Sequence, residues 1–140
     1  MMADELLLKK LRLKEPDASL VLNAPADILE RLMPVQTDVQ GRKFSFLLLC
    51  VHSQAELRTH LPRVLAVLDD TPVFWIAYPK KSSPLASDIN RDTGWEPVFE
   101  AGYGPVSQVA IDNTFSALRF RPEKDVKRKE GSVIKSMVRK

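Results

Sequence analysis

The chain has 140 residues, 44% hydrophobic, 28% charged and 7% aromatic, which are the proportions of an ordinary globular domain and not of a disordered, collagenous or membrane-spanning chain. Its one cysteine, Cys50, has no disulfide partner within the chain, which points to a reducing, cytoplasmic setting; acids at Asp4 and Glu5 stand where a signal peptide needs bases. The formal net charge of +3 is unevenly placed: from Arg121 onward eight bases face three acids, a net of +5, and the body before it sums to −2. That balance speaks against a body built around a nucleic-acid groove, and it leaves the tail as a weak contact for polyanions or a protein partner.

Leu7, Leu8 and Leu11 recur at helical spacing between leading acids and trailing lysines, so a first helix is expected before Pro16. Ser19 to Leu22 reads as a buried strand, and Asn23-Ala24-Pro25 as the turn into a helix through Ile28, Leu29 and Leu32, with Pro25 at its first position. Val35 to Val39 alternates apolar and polar residues, as an edge strand would. Phe44 to Val51 is apolar on both faces and needs cover on both sides, the condition of a parallel strand.

Ser53-Gln54-Ala55-Glu56 has the form of a capping box, and Leu57, Leu61, Val64, Leu65 and Leu68 then mark one helical face up to a closing turn at Asp69-Asp70-Thr71-Pro72. Pro62 is placed to bend that helix. Val73 to Tyr78 is a second buried strand, so Phe44 to Tyr78 forms a strand-helix-strand crossover with parallel strands. Thr93-Gly94-Trp95-Glu96 repeats the capping-box spacing ahead of a helix stopped at Gly102. Val106 to Ile111 and Phe115 to Phe120 flank a short Asp112-Asn113-Thr114 turn, the pattern of an antiparallel hairpin.

The expected fold is therefore α/β, a three-layer, Rossmann-like, mostly parallel sheet closed by a C-terminal antiparallel hairpin, with one domain over residues 1–122 and a flexible basic tail over 123–140. This order of elements resembles the Rossmann-like fold of S-adenosylmethionine-dependent methyltransferases. The stretches Trp75–Ser83, Asp88–Glu96 and Gln108–Pro122 look like those of a family of small, uncharacterised bacterial proteins. That family brings no established reaction. Against the methyltransferase pattern, the turn after the first strand lacks glycine, and only Asp38 could hold a ribose. The chain is also about one strand-helix unit short. The resemblance thus implies a reduced fold with its cofactor pocket lost, and no cofactor is expected.

Ligands of open parallel sheets bind beyond the carboxyl ends of the strands. That rule nominates Asn23, His52, Ser53, Tyr78, Lys80, Lys81 and Ser82, with Asn90, Arg91 and Asp92 on the following loop. Their cations suit a phosphate or carboxylate. The structural alternative is that Asn90, Arg91 and Asp92 shape the loop ahead of Trp95 while the lysines are solvated. Cys50, His52 and His60 do not make a metal-ligand set, and the nucleophile elbow and phosphate loop of hydrolases are missing. Two functions stay open: a non-catalytic binding or interaction module, and a small enzyme or nucleotide- or anion-binding domain using the strand-end loops.

Overall fold

The computed structural model describes residues 4–14, 18–39, 43–81 and 87–123. The expected tail beyond Glu123 and the nominated Ser82 lie outside the described residues. Four helices, α1 (Glu5–Leu11), α2 (Ala26–Leu32), α3 (Gln54–Leu65) and α4 (Glu96–Glu100), accompany a five-stranded sheet of β1 (Ser19–Leu22), β2 (Phe44–Cys50), β3 (Leu68–Pro79), β4 (Tyr103–Ala110) and β5 (Phe115–Pro122). Among the described residues no helix is long and apolar enough to cross a membrane.

The strands lie in the order β1-β2-β3-β5-β4. β1 pairs with β2, and β2 with β3, in parallel, with Leu48 opposite Val21 on one side and Trp75 on the other. The crossover from Phe44 to Tyr78 is therefore present. β3–β5 and β5–β4 are antiparallel. The expectation of a Rossmann-like, mostly parallel sheet is wrong: two of the four pairings, and the larger share of the paired rungs, are antiparallel. The hairpin is not an appendage to a parallel sheet. Its second strand runs along β3 from Phe74 to Pro79 and so becomes interior, leaving β4 at the edge.

Alternation along the strands feeds two cores. Leu47, Leu49, Phe74, Ile76, Tyr78, Leu118 and Phe120 face one side, where they meet Leu57, Leu61 and Val64 of α3 and Val98 of α4. Val21, Phe46, Leu48, Cys50, Trp75 and Ala117 face the other, against Leu7 and Leu11 of α1 and Ile28 and Leu32 of α2. The Trp75 indole N–H donates to the Leu11 carbonyl at 2.7 Å and ties α1 to the central strand. Asp4 caps α1 by accepting from the Leu7 amide and also takes Arg31 of α2 at 2.8 Å.

Other departures have local causes. Val35 to Val39 gives one parallel bridge, Gln36 to Leu20, because Val35 packs into the α1/α2 core and Val39 against the other, whereas a regular strand would turn both valines the same way. Asp69 to Pro72 does not close α3. It sits within β3, where the ladder passes from Phe44↔Leu68 to Phe46↔Val73. Pro25 is the N-cap of α2 and not its first helical residue, and α3 continues through Pro62 to Leu65. Thr93 does not cap α4, whose N-cap is Trp95; its backbone pairs instead with Asn90. The hairpin turn closes as expected, with Asp112 Oδ1 accepting from the amides of Thr114 and Phe115 at 2.9 and 2.7 Å.

Candidate functional site

The β3–β5–β4 half of the sheet carries a cavity of about 520 Å³ at the end where β3 finishes. Its floor follows from register. Tyr78 lies opposite Ser116, Ser116 opposite Ala110, and Leu118 opposite Gln108, so Tyr78, Lys80, Ser116, Ala110 and Gln108 share the α3/α4 face. The wall is the loop Asn90–Arg91–Asp92, and Lys81 borders the mouth.

That loop is held from within. The Asn90 and Thr93 backbones exchange hydrogen bonds at 3.1 and 3.3 Å, and Asn90 Oδ1 accepts from the Asp92 amide at 2.9 Å. The Trp95 indole N–H donates to the carbonyls of Asn90 (2.8 Å) and Arg91 (3.2 Å). Trp95 itself is buried, edge-on to Tyr78 with ring centres 5.5 Å apart. Gly94 allows this fold-back: it adopts φ +103°, and a Cβ there would stand 2.9 Å from Ile89. The structural alternative is thus correct for Asn90, while the Arg91 and Asp92 side chains remain exposed at the cavity. Among the described residues the ion pairs are Arg31–Asp4 and His52–Glu56, so neither Arg91 nor Lys81 is neutralised by a carboxylate contact.

Tyr78 is the least satisfied member. It is 2% exposed, and its hydroxyl is buried without a hydrogen-bond partner. Burial pushes the phenol up to about 12, against the smaller opposing pull of the Arg91 charge. Ser116 across the ladder favours the phenolate slightly without reaching hydrogen-bond geometry. The group keeps its proton at neutral pH, and the Tyr78 side chain lines a space with three cations around it.

The other nominated residues form a separate cluster. Asn23, at φ 63°, takes the left-handed turn that a glycine would otherwise supply, and its amide donates to the Cys50 carbonyl at 2.7 Å and to Glu56 Oε1 at 3.2 Å. Ser53 Oγ accepts from the Glu56 amide as the N-cap of α3. The Glu56 carboxylate does not complete the box on Ser53. It reaches one residue further back, to the His52 amide at 2.8 Å and the His52 ring at 3.3 Å. Burial alone would raise the Glu56 pKa, but the His52 amide, the His52 ring and Asn23 together lower it. These groups satisfy one another, which makes the cluster a structural cap. Asp38 is exposed, two residues past the lone bridge at Gln36.

Cys50 is fully buried with its thiol raised to about 12 by desolvation, so it is core and not a nucleophile. Sequence reading missed Gln108, Ala110 and Ser116; the signal was the hairpin pattern itself, because period-two alternation across its turn puts all three on one face. No protein-family model matches the chain, and no curated protein matches its sequence.

Proposed function

We propose that the protein is a non-catalytic binding module that seats a small polar anion, bearing a phosphate or carboxylate group, between Tyr78 and Arg91. The observation that carries this reading is the Tyr78 hydroxyl, a buried donor without an acceptor at the floor of a cavity bordered by Lys80, Lys81 and Arg91. Leaving such a group unpaired costs about 1–3 kcal/mol, which an anionic oxygen would relieve. The volume of about 520 Å³ falls among those of small-molecule sites. Asp92 stands on the same wall, so the ligand that fits is anionic at one end and carries a hydroxyl or amine at the other. A phenol that keeps its proton supports binding and not base catalysis. We also place the protein in the cytoplasm, on the strength of its unpaired Cys50 thiol.

The test is a melting-temperature screen of the purified protein against inorganic phosphate, nucleotides, sugar phosphates, S-adenosylmethionine and small hydroxy acids. At a hundredfold excess over Kd a ligand of this site adds about 2.7 kcal/mol. Arg91→Ala with Lys81→Ala abolishes that gain. If no phosphate or carboxylate compound stabilises the protein, or the double variant responds as strongly as the parent, the site is not there.

A further inference from the structure

On the opposite face of the sheet three arginines converge from two elements. Arg119 and Arg121 alternate on β5 and so point to the side covered by α1. Arg119 pairs in register with Trp75, whose indole holds the Leu11 carbonyl; the next residue, Arg12, is the C-cap of α1. Geometry thus delivers the Arg12 charge beside that of Arg119. Neither of the ion pairs formed among the described residues involves Arg12, Arg119 or Arg121. The Nε of Arg119 is buried with no acceptor. Burial first, then the charges of Arg12 and Arg121, lower its pKa, so the three guanidiniums repel one another across a partly desolvated patch. A fold that holds like charges together with a donor unsatisfied is arranged for an anion.

Arg12 also borders an apolar cleft of about 320 Å³ formed by Leu8 and Leu13, which Lys9, Lys14 and Glu5 line as well. Cations in a row beside an apolar slot match a strand that alternates phosphates with unpaired bases. Glu5 is the one acid lining the cleft, against Lys9, Arg12 and Lys14, so the balance of charge there is positive although residues 1–120 sum to −2.

We propose that Arg12, Arg119 and Arg121 form a phosphate-backbone site for single-stranded nucleic acid, with the Leu8/Leu13 cleft receiving a base. The site is independent of the Tyr78 cavity, which lies on the other face of the sheet.

The experiment is a salt titration of the full chain with a fluorescent 20-nucleotide single strand, followed by anisotropy. Each lost phosphate contact reduces the log–log salt slope by about 0.7. Arg12→Gln with Arg121→Gln therefore lowers it by about 1.4 and weakens binding at low salt at least about fivefold. Arg58→Gln with Arg63→Gln on α3 removes the same charge elsewhere and keeps the parent slope. Arg119→Lys preserves charge but not the Nε donor, and it retains the slope with reduced affinity. Four results would each overturn the proposal: no binding at about 50 mM salt, equal slope losses in the two double variants, an unchanged slope in the Arg12/Arg121 variant (which puts binding in the tail), or displacement by poly-glutamate at the concentration of competing oligonucleotide (which indicates an acidic protein partner).

Discussion

Replacing Tyr78 by Phe separates the energetics of fold and site, because stability and binding are expected to move in opposite directions. In the free protein the hydroxyl is buried and unpartnered, so it is a desolvation penalty with no compensating bond. Ser116 opposite recovers a little of it, and the ring keeps its edge-on contact with Trp95 in the variant. Taking the lower end of the penalty for a buried hydroxyl, the substitution adds about 1 kcal/mol, which at this chain length raises Tm by about 3–4 °C. The ligand then loses a hydrogen bond from a neutral donor to a charged group, worth about 1.5–3 kcal/mol, or roughly tenfold or more in Kd. Calorimetric melting of Tyr78→Phe and the parent, with and without the stabilising anion, measures both quantities. A variant less stable than the parent by 1 kcal/mol or more would show that the hydroxyl already has a partner in the free protein, and the main argument for the site would fall.

Three further outcomes follow from the same geometry. Trp95→Phe releases the carbonyls of Asn90 and Arg91 and leaves a cavity where the larger buried ring stood, lowering stability by about 2–3 kcal/mol and weakening the anion about fivefold or more, read by melting and calorimetric titration. Glu56→Gln removes a carboxylate held by His52 and Asn23, with about 1 kcal/mol lost at pH 7 given its partial exposure. Since the folded pKa of Glu56 lies below its ordinary 4.5, that contribution is complete above about pH 4.5 and disappears as pH falls through the folded value; the variant and parent converge in acid denaturation curves. The Cys50 thiol, raised to about 12, reacts with iodoacetamide at pH 8 at least about a hundredfold more slowly in the native protein than in denaturant; equal rates would mean that the core opens around β2.

What could be read in advance follows the range of the interactions concerned. β1 matches Ser19–Leu22 and the parallel β2–β3 crossover is present, because continuous apolar runs and the Ser53 cap are encoded within a few residues. The antiparallel hairpin was legible, but the share of antiparallel pairing in the sheet was not. It depends on where the hairpin docks, and nothing local in Phe115 to Phe120 says that it lies along Phe74 to Pro79. The same holds for the site. The strand-end rule grouped ten residues by position in the chain, yet Glu56 draws Asn23, His52 and Ser53 into a self-satisfied cap while register and the Trp95 indole place Tyr78, Lys80 and the Asn90 loop around a different space. A carboxylate that reaches back one residue further than a capping box prescribes is invisible at the level of spacing.

The bond from the Trp75 indole to the Leu11 carbonyl spans 64 residues, so α1 is fixed to the sheet by a partner made much later in the chain. A seven-residue helix does not persist in water by itself. α1 can meet α2 early, through Asp4 and Arg31, but the sheet surface it packs on is not complete until β3 has been made. The final fixing of α1 thus depends on a partner encoded far from it in the chain, and a change at Trp75 is felt at the amino-terminal helix.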